Sequence, residues 1–95
     1  MKLTTAELDT RLAAVPHWTL VDGKLHREFR FANFGQAIGF LTMAALKIEV
    51  LDHHPEWTNV YNRVSVHLVT HDAGGVTMKD LTLAAILDKV ASQFA

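Results

Sequence analysis

Two β-hairpin patterns, separated by an apolar helical segment, most constrain what this chain can fold into. In residues 18 to 31, apolar and polar side chains alternate around Asp22-Gly23, a strong signal for a two-residue turn. Residues 57 to 70 alternate in the same way around Asn62-Arg63, where asparagine tolerates a positive φ angle. Two such hairpins predict a four-stranded antiparallel sheet.

Three helices are predicted around these hairpins, because each has side chains that can cap its first turn. The capping pairs are Thr4 with Glu7, Asn33 with Gln36, and Thr77 with Asp80. Pro16 stops the first helix, and the second runs to about Asp52, since Pro55 holds His54 in an extended conformation. The element order is therefore α-β-β-α-β-β-α. It predicts a single α+β domain over residues 1–95, with two layers and the helices on one face of the sheet.

Apolar side chains on the second and third helices indicate how these helices pack. The stripe predicted to face the core from the second helix comprises Phe34, Ala37, Ile38, Leu41, Ala45 and Ile48. The third helix is apolar over a wider arc, through Leu81, Leu83, Ala84, Ile86, Leu87, Val90 and Phe94. Such an arc is wider than one face of a small sheet can cover, so we expect a contact between copies of the chain.

Composition excludes several classes of function. The net charge is −1, and no basic block exceeds two residues, so nothing favours a nucleic-acid partner. The chain has no cysteine, which removes disulfides, thiolate nucleophiles and cysteine–zinc sites. The first fifteen residues lack an apolar signal-peptide core, and no apolar run approaches the roughly 20 residues of a membrane span. We therefore expect a cytoplasmic protein without a membrane partner.

The run "EVLDHHPEW" and the later "VTHDAGG" contain the candidate chemistry. Glu49 and His53 are four residues apart on the predicted helix, so their side chains can meet. His54 precedes a rigid proline, and His71 arrives from the end of the second hairpin. Imidazoles are the side chains that titrate nearest neutral pH, so three of them at one place predict proton transfer.

Each of these residues also has an ordinary structural interpretation. A histidine in the last turn of a helix complements the helix dipole, His71 can be a loop residue, and Asp80 can be only a helix cap. The remaining histidines, His17, His26 and His67, are predicted to be surface residues. A metal site at the three motif histidines is disfavoured, because adjacent residues at a helix end rarely aim both rings at one ion.

The motifs together resemble the pterin-4a-carbinolamine dehydratase family. The resemblance covers nearly the whole chain and starts with Trp18 ahead of the first turn. It continues through "REFRFANFGQAIGF", "EVLDHHPEWTNVYNRV" and "THDAGGVT" to Asp80. The combination of Glu-x-x-x-His-His-Pro with the later Thr-His-Asp turn is highly specific.

The resemblance implies an enzyme that removes water from 4a-hydroxytetrahydropterin to give quinonoid dihydropterin, which recycles the cofactor of aromatic amino-acid hydroxylases. It implies no metal and no cofactor, and a homodimer or homotetramer. The catalytic residues implied are His53, His54 and His71, with Glu49 orienting His53. The residues implied to contact the pterin are Trp18, Pro55, Thr70, Asp72, Ala73 and Lys79.

Two other functions remain open on the sequence. Some vertebrate relatives also act as dimerisation cofactors of a transcription factor through helix packing, so the chain could be a non-catalytic binding module. A metal-dependent hydrolase is a third interpretation, which metal analysis after chelation would separate from the first two. The intact set of three motif histidines favours the dehydratase.

Overall fold

A computed structural model describes residues 1–94 and contains three α-helices, four β-strands and a short 3-10 helix. The helices are α1 (Thr5–Leu12), α2 (Phe34–Leu51) and α3 (Met78–Ser92), and the 3-10 helix spans His71–Ala73. The strands are β1 (Thr19–Val21), β2 (Lys24–Arg30), β3 (Glu56–Val60) and β4 (Arg63–Leu68). The predicted order and α+β class are confirmed.

The four strands form one antiparallel sheet in the order β1-β2-β4-β3, so the two hairpins meet along β2 and β4. At the first turn, Asp22 and Gly23 have φ angles of 51° and 77°, the positive values that a type I′ turn requires. The second turn differs from the prediction. Val60 pairs with Arg63, so Tyr61 and Asn62 form the turn, and Tyr61 adopts the positive φ of 52°.

One face of the sheet is buried against α2 and α3, and the opposite face is open. Leu25 and Phe29 of β2 and Val64, Val66 and Leu68 of β4 are fully buried in the core. The inward line of α2 consists of Ala37, Phe40, Ala44 and Ile48. Three members of the predicted stripe, Phe34, Ile38 and Ala45, are instead exposed. The helix is rotated to place Phe40 among Phe29 and Phe31.

The wide apolar arc of α3 is covered by the chain itself. Its buried residues include Leu81, Leu83, Ala84, Leu87 and Val90, which pack against the sheet and α2. The arc therefore does not require a second copy of the chain, and the reason given for an oligomer contact at α3 was wrong. Exposed apolar side chains lie on α2 instead, where Leu46 and Val50 are 68% and 90% exposed.

The segment Phe34–Leu51 is long and apolar enough to meet a simple criterion for a membrane span, contrary to the expectation from the sequence. Core helices of globular domains meet the same criterion. Here the segment is α2, and its buried side chains pack in the core with residues of β4 and α3.

Candidate functional site

The end of α2 directs His53 toward α3. The helix ends at Leu51, and Asp52 follows in the left-handed conformation with a φ of 54°. This reverses the direction of the chain, so the ring of His53 does not continue along the helix. Instead, Nε2 of His53 lies 2.5 Å from Oδ1 of Asp80, in the first turn of α3. The His53 side chain is only 12% exposed.

Asp80 has no exposed surface, and its second carboxylate oxygen is also fully engaged. Oδ2 accepts hydrogen bonds from the Thr70 hydroxyl and from the Thr77 backbone N–H, both at 2.9 Å. The Thr70 and Thr77 hydroxyls lie 2.7 Å apart, so the Thr77 hydroxyl can donate to Thr70 in turn. Asp80 is therefore both the predicted cap of α3 and the partner of His53.

This arrangement fixes which nitrogen of His53 is available for chemistry. An ionised carboxylate only accepts hydrogen bonds, so Nε2 of His53 carries the proton shared with Asp80. The free nitrogen is then Nδ1, which can take a proton from a bound molecule or return one to it. A buried carboxylate behind an imidazole also fixes the orientation of the ring.

Glu49 pairs with His54 rather than with the predicted His53. Its Oε1 lies 3.2 Å from Nε2 of His54, and both side chains are well exposed. Side chains four residues apart meet only within a continuous helix. Because α2 ends two residues before His53, the Glu49 and His53 side chains are not brought together. The carboxylate that holds His53 comes from α3 instead.

His71 opens the 3-10 helix that follows β4, and its carboxylate partner is Glu56 at the start of β3. Nε2 of His71 lies 3.2 Å from Oε2 of Glu56, while Lys24 bonds the other oxygen at 2.7 Å. The hydrogen bond from Lys24, assisted by the charge of His71, holds the pKa of Glu56 below its ordinary value. Glu56 therefore stays ionised beside His71.

All three motif histidines thus lie beside a carboxylate, and each carboxylate belongs to a different element. The partners are Asp80 for His53, Glu49 for His54 and Glu56 for His71. Thr70, which precedes His71, bonds Asp80 and so links two of these pairs. Such pairs suit the delivery and removal of protons near neutral pH. Within residues 1–94, no three histidine or carboxylate side chains are gathered as a metal site.

An open cleft of about 710 Å³ adjoins this network. Four of the residues predicted to contact substrate line it, namely Thr70, Asp72, Ala73 and Lys79. The lining also includes Thr77 and residues 1 to 3. The backbone N–H of Leu3 donates to the carbonyl oxygen of Val76. The three motif histidines do not line this cleft; it shares only Thr70 and Thr77 with the Asp80 network. Pro55, also predicted to contact substrate, is half-buried just before β3.

Trp18 lies in the hydrophobic core and is only 2% exposed. Its ring meets Phe29 edge-on, and its indole N–H donates to Asp88 at 2.8 Å. Asp88 is eight residues after Asp80 on α3, a distance of about 12 Å along a helix axis. The structure therefore gives Trp18 a buried position in the core, and its contact with substrate stays a prediction.

Two members of the site were not identified as such from the sequence. Glu56 was not singled out, although an acidic residue directly after the His-His-Pro element was a usable signal. Asp80 was interpreted as a helix cap, and its second role depends on a contact with His53 across 27 residues. The spacing of residues within a short segment does not predict a contact between side chains so far apart in the chain.

Comparison with known proteins places this geometry in a family. Residues 1–90 match the profile of the family described as pterin 4 alpha carbinolamine dehydratase. A protein of Solibacter usitatus, provisionally named as a pterin-4-alpha-carbinolamine dehydratase, is 55% identical over 96% of both chains. A protein of Burkholderia vietnamiensis with the same provisional name is 52% identical over 96% of this chain and 91% of its own.

A solved structure extends the comparison to the fold. The crystal structure of a transcriptional coactivator/pterin dehydratase from Brucella melitensis superposes with a TM-score of 0.92 at 45% identity. The match covers 96% of this chain and 99% of the Brucella chain. The sequence profile, the curated relatives and the structural match all span nearly the whole chain. The protein belongs to the pterin-4a-carbinolamine dehydratase family.

Proposed function

We propose that the protein is a hydro-lyase that removes water from 4a-hydroxytetrahydropterin and releases quinonoid dihydropterin. In the cytoplasm, this reaction would recycle the cofactor of aromatic amino-acid hydroxylases. Membership of the family supports the reaction class. The observation that carries the proposal is the buried Asp80–His53 pair, which leaves one imidazole nitrogen for a substrate proton. His54 and His71 each lie near a carboxylate of their own.

The reaction requires two proton movements and no redox step. The bond between C4a and its hydroxyl breaks, and the hydroxyl leaves as water after receiving a proton. The proton on N5 is lost, and a double bond forms between C4a and N5. In the proposal, His53, His54 and His71 exchange these protons, and their carboxylate partners stabilise the protonated rings. Glu49 acts through His54, and the reaction needs neither a metal nor a cofactor.

The cleft beside the Asp80 network supports a pterin site at this end of the domain. Thr70, Asp72 and Ala73 offer backbone and side-chain hydrogen-bonding groups along one wall, and Lys79 adds a positive charge. A pterin ring is flat and carries several donors and acceptors, so such a wall suits it. In this proposal the pterin extends from the three histidines toward that wall, with Pro55 at its edge.

The direct test is a stopped-flow assay with synthetic 4a-hydroxytetrahydropterin. We expect purified protein to accelerate the appearance of quinonoid dihydropterin well above the spontaneous rate, which must be subtracted. A matched measurement uses the His53→Ala variant at the same concentration. Equal rates with and without the protein, for a sample shown to be folded by circular dichroism, would exclude the dehydratase function.

We further propose that the protein works as a homodimer or homotetramer. The exposed apolar side chains of α2 support this, because Leu46 and Val50 project from a helix whose other face is already packed in the core. Isolated apolar residues on a surface are common, but several on one helix favour association. Light scattering at micromolar concentration should give a multiple of the 10.6 kDa chain mass. A monomer mass would contradict this expectation.

A non-catalytic binding module is the second candidate. It is favoured by the name of the Brucella melitensis structure, which describes that protein as a transcriptional coactivator as well as a pterin dehydratase. The exposed apolar residues of α2 offer this chain a surface for such a role. A folded, oligomeric protein without measurable dehydratase activity would favour this candidate over the first.

A further inference from the structure

The open face of the sheet carries a histidine pair that the dehydratase site does not use. His26 on β2 lies directly opposite His67 on β4, and their ring centres are 4.4 Å apart. On the other side of His67, the register places Glu56 of β3 directly opposite. His26, His67 and Glu56 therefore form a row across three adjacent strands. We call His26 and His67 the open-face histidine pair.

We propose that the open-face histidine pair binds a divalent transition-metal ion, with Glu56 as a third ligand. Zinc, nickel and copper accept imidazole nitrogens at about 2.0–2.1 Å. Two imidazoles bound to one such ion at neighbouring positions have ring centres about 4.5–5 Å apart, close to the separation in this structure. The separation of the two ring centres is therefore compatible with one shared ion, and binding requires the rings to turn until one nitrogen of each faces it.

The sheet also favours this site. Directly opposite residues in a sheet are held at a fixed separation by the backbone, so the two histidines stay next to each other on the open face.

Lys24 competes with a metal ion for Glu56. Its Nζ, from β2, lies 2.7 Å from Oε1 of Glu56 on β3. Within the described residues, no third ligand joins the histidine pair, and Glu56 contacts Lys24 and His71 instead. His26 also bonds the Ser65 hydroxyl at 3.0 Å. Metal binding must displace the ammonium group of Lys24 and this hydroxyl, while water completes the coordination.

This competition predicts opposite changes in metal affinity for two kinds of substitution. Removal of a ligand should weaken metal binding, whereas removal of the competing ammonium group should strengthen it. His26→Ala and His67→Ala should each weaken binding by at least about tenfold, the loss expected when a metal site loses even an outer partner. Lys24→Met keeps most of the side-chain volume without its charge, and it should tighten binding.

The test is isothermal titration calorimetry of untagged protein with Zn²⁺ and with Ni²⁺, using Mg²⁺ as the hard-ion comparison. We expect one ion per chain for Zn²⁺ and Ni²⁺, and no saturable binding of Mg²⁺, which prefers oxygen ligands. His17→Ala is the control, because His17 is an exposed histidine outside the strands. In nuclear magnetic resonance spectra, Ni²⁺ should broaden the imidazole signals of His26 and His67 before those of other histidines.

Unchanged affinity in His26→Ala and His67→Ala would overturn the proposal, as would first broadening at His53, His54 or His71. Weaker binding in Lys24→Met would also contradict it. Glu56 is shared with His71, but the test variants replace His26, His67 and Lys24, none of which belongs to the proposed dehydratase machinery. A protein inactive toward the pterin could still bind the ion, and an active protein could fail to bind it.

Discussion

Replacing Asp80 by asparagine tests the central contact of the proposed active site. The two side chains have nearly the same shape, but the amide carries no charge and presents an NH₂ group in place of one oxygen. In the structure, Oδ1 faces Nε2 of His53, while Oδ2 accepts from Thr70 and Thr77. An asparagine amide cannot replace both carboxylate oxygens as acceptors, because its NH₂ group must face either the N–H of His53 or the donors of Thr70 and Thr77.

Each orientation of the amide has a defined cost. If the NH₂ group faces His53, Nε2 must become an acceptor, and the proton moves to Nδ1, the nitrogen proposed to serve the substrate. The rate should then fall by about 10²–10⁴, or roughly 3–5 kcal/mol of barrier. If the NH₂ group faces Thr77, a backbone N–H in a fully buried position loses its acceptor, which costs about 1–3 kcal/mol of stability. For a domain of this size, each kcal/mol lowers Tm by roughly 4–8 °C.

Asp88→Asn is the matched control. Asp88 lies on the same helix two turns later and accepts bonds from the Trp18 indole and the Arg27 guanidinium group. Its replacement should lower stability without a specific loss of rate in the folded protein. The assays are stopped-flow dehydration, thermal unfolding, and nitrogen chemical shifts of the His53 ring. If Asp80→Asn keeps a near wild-type rate, or loses rate only in proportion to the unfolded fraction, the assignment of Asp80 as the partner that positions His53 is refuted.

Three further predictions follow from the same structure. His53→Ala and His71→Ala should each slow dehydration by about 10²–10⁴ in stopped-flow assays, whereas His26→Ala and His67→Ala should keep near wild-type rates. Exhaustive chelation should leave the rate unchanged, and a loss that zinc or iron restores would contradict metal-free catalysis. Burial lowers the pKa of His67 in the fold, so the unfolded chain binds more protons. Urea unfolding should show stability falling as pH drops through about 6.5, the ordinary histidine value, with a smaller change in His67→Ala.

The removal of His53 should also affect the fold itself. Its ring covers a carboxylate with no exposed surface, so alanine leaves one oxygen of Asp80 buried without its donor. Loss of a partner from a buried charged group is among the larger destabilising effects. Thermal unfolding should therefore accompany every rate measured for His53→Ala, and rates should be compared per folded molecule. His71, which is 74% exposed, should show no comparable loss of stability.

The parts of the fold predicted correctly were those that short-range signals determine. The Asp22-Gly23 turn, and the caps that begin each helix, depend on residues within three positions of one another. The second turn was misplaced by one residue because Tyr61, rather than the asparagine beside it, adopts the left-handed conformation. The register of the β3–β4 hairpin, in which Val60 pairs with Arg63, makes Tyr61 and Asn62 the turn. Alternation of side chains predicts the hairpin but does not fix that register.

The three histidines of the candidate site were identified from the sequence, but their partners were largely not. The expected Glu49–His53 pair treated His53 as part of a helix predicted to run to about Asp52, whereas α2 ends at Leu51 and the left-handed Asp52 turns the chain. The observed partner, Asp80, is contributed by another helix across the core. The inward face of α2 was also misjudged, since its rotation depends on aromatic packing with β2. Contacts between distant elements account for each of these errors.

The sheet order also constrains how the protein reaches its native state. Each hairpin joins neighbouring strands, but the central pair, β2 with β4, aligns residues more than thirty positions apart in the chain. Closing that loop costs conformational entropy before the stabilising contacts form. We therefore expect the pairing of β2 with β4 to limit the folding rate. The Asp80–His53 contact likewise joins distant segments, 27 residues apart in the chain. The competent site should therefore appear only in the last, cooperative step of folding, and a folding intermediate with both hairpins formed should be inactive.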